Sequence, residues 1–336
     1  MDKKFKNILI TGGSGFLGSH TADHLFKKGY KVTIFDKNVS NYINKNIKFV
    51  SGDINDYKFL EKNLKNIDAV FHFAAEADIS KASKYPSQTI QTNILATTNL
   101  LELSVKNKVK KFIFGSSVYA NSNFGGIYAT TKITSELLIK NFYEIYKLNY
   151  VILRYGSLYG TRSNNFNFIY RLIENAFISG ELVREGDGEE LRDYIYVEDA
   201  AEITAKALEN KIQNETILVT GNQKIKIKEL LLLIKEVLNN KPKIRYIKKN
   251  NLYHYKTTPY SFRPDYSKKI DLTKKTELAE GLLHTIYEVY DHLKSKKTKF
   301  KIKMTLEKAI IFDFDGVILE SLEVKSNAFY ELYLKY

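Results

Sequence analysis

Short apolar runs and helical patterns alternate through the first half of the chain. The helical pattern is clear in Thr89–Val105, where apolar residues recur at the spacing of one helix face. Strands that alternate with helices predict βαβ units, which build a parallel sheet with helices on both faces. We therefore predict an α/β fold with a doubly wound parallel sheet. Its candidate strands are Ile8–Thr11, Val32–Asp36, Ile47–Val50, Ala69–Ala75, Lys111–Phe114 and Tyr150–Leu153.

The alternation loosens after about residue 160, which indicates a second and smaller C-terminal lobe. We predict a sheet domain at residues 1–165, to which later segments could return, and a substrate-binding lobe at 166–293. A lysine-rich linker at 294–303 and a separate segment at 304–336 follow. The elements predicted in the second half are a helix at Phe166–Ile178, a loop at Glu185–Glu190, a strand and helix in Tyr194–Leu208, a strand and helix in Thr216–Leu238, and an amphipathic helix at Thr276–Leu293.

The junction of the first strand and the first helix carries glycine at Gly12, Gly15 and Gly18. Glycine there lets the backbone turn tightly and lets a pyrophosphate approach the N–H groups at the start of the helix. Asp36 ends the second strand eighteen residues after Gly18, where a carboxylate can accept hydrogen bonds from ribose hydroxyls. The spacing predicts a dinucleotide site on a Rossmann-type sheet. Asp36 favours NAD over NADP, and the neighbouring Lys37 opposes that preference.

Composition narrows the function classes. The 336 residues include no cysteine, which excludes disulfides, thiolate nucleophiles and cysteine-ligated metals, and the six histidines are scattered, so no metal site is predicted. No apolar run has the length of a signal-peptide core or a membrane span, so we expect a cytoplasmic protein without a membrane partner. The net charge is +14, but Lys outnumbers Arg by 45 to 7, and six lysines lie in Lys294–Lys303. Because Arg is the preferred bidentate reader of bases and phosphates, we interpret the charge as a solvated surface and predict no nucleic-acid partner.

A tyrosine and a lysine one helical turn apart are candidates for acid–base chemistry. A Lys beside a Tyr favours the phenolate, which can take a proton from an alcohol as hydride leaves. The Tyr-x-x-x-Lys spacing occurs at Tyr128, Tyr143 and Tyr290, about as often as this Tyr- and Lys-rich composition would produce by chance. Position singles out Tyr128 with Lys132, because a predicted strand ends eleven residues earlier at Ser117, on the sheet edge where ligands bind. Ser117 can hydrogen-bond the reacting oxygen.

Residues 5 to about 293 resemble the extended short-chain dehydrogenase/reductase superfamily, in the NAD-dependent nucleotide-sugar epimerase/dehydratase branch that includes UDP-galactose 4-epimerase. The motifs that carry the resemblance are Thr11–Gly18, Gly52-Asp53-Ile54, Phe71–Ala75, Thr92–Leu101, Ser116-Ser117, Tyr128-x-x-x-Lys132, Leu153–Gly160 and Arg192–Asp199.

The resemblance implies roles for individual residues and a homodimer. Ser117, Tyr128 and Lys132 would be catalytic. Arg192 and Arg263 would join Ser117 in binding the substrate, with the two arginines on its diphosphate. The implied cofactor contacts are the glycine-rich turn with Gly12, Gly15, Phe16, Leu17 and Gly18, Asp36 on the ribose, Asp53 and Ile54 at the adenine, Ala74 and Ala75 along the middle of the cofactor, Tyr155 on the nicotinamide side, and Tyr128 and Lys132.

Several subclasses remain open. The 4,6-dehydratases of this branch place Thr-Asp-Glu where the chain has Ser117-Val-Tyr119, and other members use a cysteine that is absent here. This favours a nucleotide-sugar 4-epimerase that oxidises and re-reduces C4. A 4-ketoreductase, a decarboxylase or a dehydratase of the same family is the alternative. From another class, a cofactor-sensing or nucleic-acid-binding protein without turnover would keep the fold. The loop before Tyr128 is short, and Gly156-Ser157 replaces residues that contact sugars in the family, so the sugar is open.

The last segment carries a second resemblance. Phe312–Gly316 resembles the first motif of haloacid dehalogenase-type phosphatases, in which Asp313 and Asp315 would be phosphoryl acceptor and acid. Only twenty residues follow Gly316, so we expect a truncated fragment without phosphatase activity.

Overall fold

An eight-stranded sheet forms the centre of the structure, a computed structural model that describes residues 5–122, 124–221, 224–248 and 268–302. The strands are β1 Asn7–Thr11, β2 Lys31–Asp36, β3 Lys48–Ser51, β4 Ala69–His72, β5 Lys111–Ser117, β6 Tyr150–Tyr155, β7 Ser157–Tyr159, β8 Glu181–Glu185, β9 Leu191–Tyr196, β10 Glu215–Val219, β11 Lys224–Lys226, β12 Lys243–Ile247 and β13 Lys268–Lys269. The α-helices are α1 Phe16–Lys27, α2 Tyr57–Asn63, α3 Ile79–Lys84, α4 Pro86–Ile90, α5 Ala96–Lys106, α6 Gly126–Tyr146, α7 Phe168–Ser179, α8 Val197–Lys206, α9 Ile227–Val237 and α10 Leu278–Ser295.

The strand order of the large sheet is β3-β2-β1-β4-β5-β6-β10-β13, and every neighbouring pair is parallel. The order reverses between β1 and β4, which creates the crevice at the carboxyl ends of the strands where ligands of doubly wound sheets bind. The predicted doubly wound parallel sheet is therefore confirmed. Strands β10 and β13 come from the second half of the chain and return to the first domain.

Helices cover both faces of this sheet, so its central strands read as continuous apolar runs. Residues of α1 and α8 share one core with one face of the strands, and residues of α5 and α6 share a second core with the other face. Along β6 the side chains alternate between these cores: Ile152 faces α6, and Leu153 faces α8. The position of a residue in the strand thus decides in which of the two cores its side chain packs.

The second lobe has its own core, formed by α7, α9, α10 and β9. Two small sheets, β7-β9-β11 and β8-β12, flank it. Part of the predicted linker packs on this lobe, because the Phe300 ring stacks on Tyr290 with centroids 5.0 Å apart and Ile302 is only 6% exposed. The expected phosphatase-like fragment at 304–336 lies outside the described residues.

Within the described ranges, the helices lack the combination of length and apolar character that a bilayer crossing needs.

Candidate active site

Two loops meet at the crevice, one after β1 and one after β4. Gly12 has φ +72°, and a Cβ there would lie 2.6 Å from the Ala74 nitrogen, so only glycine lets the loops touch. A Cβ on Gly18 would lie 2.2 Å from the Gly12 carbonyl oxygen, which explains why α1 packs so closely on β1. Ala74 therefore lines the loop contact, and the half-buried Ala75 follows it.

The turn into α1 fits a dinucleotide pyrophosphate. Gly15 is the N-cap of α1 and is exposed, and a Cβ there would meet only the Gly12 carbonyl oxygen, at 3.2 Å. The Ser14 hydroxyl group is buried and has no hydrogen-bond partner among the described residues. Phe16 and Leu17 supply N–H groups of the first helical turn, while the Leu17 side chain packs into the core. Open space, an unpaired hydroxyl and helix N–H groups suit an anionic phosphate.

Two carboxylates stand beside this turn. Asp36 accepts a hydrogen bond from the Ser14 nitrogen at 3.0 Å, so it is held next to the phosphate cradle. Asp53 pairs with Lys37, with the Lys37 Nζ 2.8 Å from a carboxylate oxygen. Partial burial raises the pKa of Asp53, but hydrogen bonds from Lys37 and Asn55 bring it below its ordinary value. Lys37, which opposes NAD preference in the sequence, is therefore bound to a carboxylate.

Ile54, beside Asp53, is 4% exposed and packs in the core shared with α5. Its side chain is turned inward, so a contact with an adenine would come from its backbone.

The predicted catalytic residues meet at the carboxyl end of β5. Ser117 ends this strand, and its side chain lies close enough to the Tyr128 hydroxyl group, in the first turn of α6, to lower the pKa of that group. Lys132 lies one turn further along α6, and its Nζ donates to the Gly115 carbonyl oxygen at 2.7 Å. The three side chains therefore surround one point of the crevice.

Burial sets the protonation of this group. It raises the pKa of Tyr128 to about 12, and the nearby Ser117 side chain opposes the rise. It lowers the pKa of Lys132 to about 8, and the negative charge of Glu136 opposes the fall. A positive charge near the Tyr128 hydroxyl group would therefore have a large effect, since little water screens it.

Glu136 and Arg154 also organise this site and were not predicted. Glu136, one turn beyond Lys132, is fully buried and accepts hydrogen bonds from Ser116 and Arg154. The available signal was the spacing Tyr128, Lys132, Glu136 along one helix face.

Asn93 is another buried polar residue that the sequence did not single out. It lies in a π-helical turn, Gln91–Leu95, that separates α4 from α5. Its side chain bonds the Glu76 nitrogen at 2.7 Å and the Thr131 hydroxyl group at 3.0 Å. It thereby joins the loop after β4 to α6, directly beside Lys132.

Tyr155 differs from the expectation that it faces the nicotinamide. Its hydroxyl group is 2.6 Å from the Thr204 hydroxyl oxygen, inside the core shared with α8. The alternation of side chains along β6 turns it to the face opposite α6, where Tyr128 and Lys132 lie. The side chain therefore packs in the interior.

The two predicted substrate arginines fall in different parts of the chain. Arg192 lies in β9, is 8% exposed, and donates to the Leu191 carbonyl oxygen at 2.9 Å. Arg263 lies outside the described residues. Only Arg192 can be placed, in the second lobe beside β11.

Comparisons with known proteins agree with this architecture. The model of the NAD dependent epimerase/dehydratase family matches residues 8–221, which do not include 304–336, so the phosphatase-like fragment gains no support. A UDP-N-acetyl-alpha-D-glucosaminuronate decarboxylase of Bacillus cytotoxicus is 31% identical over 302 residues, 82% of this chain and 92% of its own length.

Solved structures give the same picture. The UDP-glucose 4-epimerase of Thermotoga maritima with UDP-glucose has a TM-score of 0.74 and 29% identity, covering 85% of this chain and 99% of its own. The UDP-glucuronic acid 4-epimerase of Bacillus cereus, in complex with UDP-glucuronic acid and NAD, has a TM-score of 0.73 and 25% identity with the same coverage.

Proposed function

The chain belongs to the NAD dependent epimerase/dehydratase family, and from that premise we propose that it is an NAD-dependent nucleotide-sugar 4-epimerase. The observation that carries the proposal is the meeting of Ser117, Tyr128 and Lys132 beside a turn that fits a pyrophosphate. The residues after Ser117 are Val118 and Tyr119, so this position supplies no carboxyl acid for eliminating water. Ser117, Tyr128 and Lys132 can move the proton of an alcohol without eliminating water. Such chemistry suits a reversible oxidation at C4.

Each residue of the site would have its own role in the proposed reaction. Tyr128, as the phenolate, takes the proton of the C4 hydroxyl group and later returns it, while Ser117 hydrogen-bonds the C4 oxygen. The Lys132 ammonium stabilises the phenolate, because opposite charges in a buried site favour each other's ionised forms. NAD, when bound, would supply the hydride acceptor and donor for C4. Asp36, Asp53 and the glycine-rich turn would hold the adenosine and the pyrophosphate.

We propose UDP-sugars as the substrate class, since the relatives described above are UDP-sugar enzymes. Arg192 would bind the diphosphate, because a guanidinium group matches phosphate oxygens in pairs. Arg263 would be the second arginine of this grip.

Product analysis tests the proposal. Purified protein is incubated with UDP-, dTDP-, GDP- and CDP-sugars, and the products are identified by NMR, with Tyr128→Phe as the matched control. We expect interconversion of C4 stereoisomers with the wild type only. Net oxidation, net reduction or release of CO₂ would contradict a 4-epimerase.

A decarboxylase is the second candidate, supported by the decarboxylase relative that aligns over 302 residues. It would share the C4 oxidation and then lose the C6 carboxylate as CO₂. UDP-glucuronic acid separates the two: a 4-epimerase yields UDP-galacturonic acid, and a decarboxylase yields a UDP-pentose and CO₂.

We further propose a cytoplasmic homodimer. Apolar side chains stay exposed on two neighbouring helical segments, with Ile90 at 45%, Leu95 at 53% and Leu137 at 55%. Covering this face with a second copy would remove that apolar area from water. Light scattering should give a molar mass twice that of the chain. For Leu137→Glu the molar mass should fall to that of a single chain.

A further inference from the structure

Glu136 is a fully buried carboxylate next to the proposed active site. Acidic side chains are almost never fully buried unless they are paired, because an ion loses its hydration there. Glu136 also shares one face of α6 with Tyr128 and Lys132, each four residues after the last. Because burying the Glu136 carboxylate costs free energy, its position beside the site has to be explained.

Contacts of α6 with the end of β5 are the first observation. Lys132 donates to the Gly115 carbonyl oxygen at 2.7 Å, and the Ser116 hydroxyl group donates to Glu136 Oε1 at 2.5 Å. Ser117 lies close to Tyr128 and lowers the pKa of its hydroxyl group. Three successive residues of the strand thus each lie against one of three successive turns of the helix. The Glu136 contact fixes the residue directly before Ser117.

Charge compensation by Arg154 is the second observation. Arg154 lies in β6, opposite Ser116 in the strand register, and is 4% exposed. Its Nε donates to Glu136 Oε1 at 2.9 Å and its Nη2 to Oε2 at 2.6 Å. Such a bidentate pair is the strongest geometry that Arg and a carboxylate can form. It occupies both oxygens of Glu136.

The Lys132 ammonium is consequently left without a carboxylate partner in the part of the chain that the structure describes. The charged or titratable groups around it are Glu136 and Tyr128 on its own helix, His72 on β4, and Arg154 behind Glu136. His72 is neutral, because burial lowers its pKa to about 3. The excess positive charge at Lys132 is therefore available to the Tyr128 phenolate.

We propose that Glu136 and Arg154 are positioning residues: together they fix Ser117 against Tyr128, and their mutual pairing leaves the Lys132 ammonium free to stabilise the phenolate. This rests on the proposed function, in which Tyr128 is the base. Either charge without the other disturbs Lys132. Uncompensated Glu136 neutralises the ammonium, and uncompensated Arg154 repels it.

Single and double variants test this. Glu136→Gln keeps the shape and removes the negative charge, and Arg154→Met removes the positive charge. The ionisation of Tyr128 is followed by NMR in the NAD-loaded protein labelled with ¹³C at the tyrosine Cζ, with Tyr128→Phe identifying the signal. Arg154→Met should raise the pKa of Tyr128 by about one unit, because Glu136 then offsets the charge of Lys132, and Glu136→Gln should lower it, because a negative charge near the phenolate is lost. The two shifts have opposite signs because an uncompensated negative charge disfavours the phenolate and an uncompensated positive charge favours it.

Kinetics give the second readout. Arg154→Met should lower kcat at neutral pH about tenfold, the equivalent of one pKa unit. KM for the sugar and the Kd for NAD should change less than about twofold, because neither residue is placed against the ligands. The double variant Glu136→Gln/Arg154→Met removes both charges and should recover most of the lost kcat, since neutral replacements of a buried pair are often tolerated.

Asp199→Asn is the matched control for the loss of a buried carboxylate. Asp199 lies in α8 and accepts hydrogen bonds from Thr276 at 2.8 and 2.9 Å, on the other face of the sheet. It should lower the melting temperature as Glu136→Gln does, without moving the Tyr128 signal or kcat. If Arg154→Met does not fold, Arg154→Lys keeps the charge and should leave the Tyr128 pKa near the wild-type value.

A lowered melting temperature together with an unchanged Tyr128 pKa in the single variants would overturn the proposal, and so would a double variant no more active than Arg154→Met alone. The NMR titration needs no sugar substrate. If no 4-epimerase activity is found but the titration shifts as expected, the positioning role stands and the proposed function fails.

Discussion

The two ends of strand β5 each have a buried lysine, and the two lysines are bound in different ways. Lys111 begins the strand, is 1% exposed, and its Nζ donates to the carbonyl oxygens of Ala207, Glu209 and Ile212 at 3.1, 2.9 and 2.8 Å. Lys132 reaches the other end, where its Nζ donates to one carbonyl oxygen within the described residues, that of Gly115.

An ammonium group has three N–H donors, so Lys111 uses all of them on carbonyl groups just beyond the end of α8. A cation at a helix C-terminus is stabilised by the dipole there. Within the described residues, Lys132 has donors left over at the carboxyl end of the sheet, where doubly wound folds bind their ligands. An ammonium group whose three donors are all used indicates a structural role. An ammonium group with unused donors indicates a group that can bind a ligand.

The largest expected effect is at the carboxyl end. Tyr128→Phe should lower kcat by about 10²–10⁴-fold, the usual cost of removing a positioned proton-transfer group, with little change in the Kd for NAD. Tyr143→Phe is the control from the same helix, because its ring packs against Tyr150, at 5.9 Å between centroids, and under the Lys147 ammonium, away from the end of β5. Equal losses in both variants would mean that position along the helix does not distinguish the base.

The amino end should respond in stability alone. Lys111→Met leaves three carbonyl groups without their donor, so we expect a loss of about 2–4 kcal/mol in the free energy of unfolding, measured by denaturant titration. Lys110→Met is the adjacent control, since the partly exposed Lys110 pairs with Asp68 on the surface and should cost less than about 1 kcal/mol. A fall in kcat for folded Lys111→Met would remove the contrast between the two ends.

Truncation extends the comparison to the C-terminal end. A stop codon after Ile302 should leave stability and activity unchanged. A stop codon after Leu293 should cost about 1.5–3 kcal/mol in the free energy of unfolding, because it removes Phe300 from its contact with Tyr290. The sequence led us to expect a free linker from residue 294, so equal stability of the two truncated proteins would restore that view.

The smallest effect concerns a third lysine, at the end of β2. Lys37 is paired with Asp53 at 2.8 Å, and both side chains are about half exposed. Asp53→Asn should release Lys37 to attract the 2′-phosphate and improve the Kd ratio of NADP to NAD by about two- to fivefold, as expected for an exposed ion pair. Isothermal titration of both cofactors measures the ratio. A matching gain in Lys37→Met/Asp53→Asn would show that Lys37 is not the cause.

The sequence predicted what depends on local spacing. Gly12 and Gly18 are required by contacts of 2.6 and 2.2 Å that any Cβ would make, and Tyr128 was distinguished from Tyr143 by its distance from the end of β5. The sequence did not predict that the Tyr155 side chain packs towards α8, because the motif does not say on which face of a central strand a side chain lies. Both faces are buried here, so the apolar pattern carries no period of two to decide it.

Contacts between residues that are far apart in the chain could not be predicted from the sequence either. The spacing of Glu136 from Lys132 was visible, but its pairing with Arg154 depends on β6 lying beside β5. The packing of Phe300 was not predicted, because it is a single aromatic residue within a lysine-rich segment that we interpreted as a linker.

The most direct test of C4 chemistry at the carboxyl end of β5 is an isotope experiment. UDP-glucose with deuterium at C4 is incubated with the protein in ordinary water, and the product is examined by NMR. We predict UDP-galactose that retains the deuterium at C4, with Tyr128→Phe forming none in the same time. UDP-galactose that has lost the deuterium to solvent, or product formed equally by Tyr128→Phe, would contradict the account.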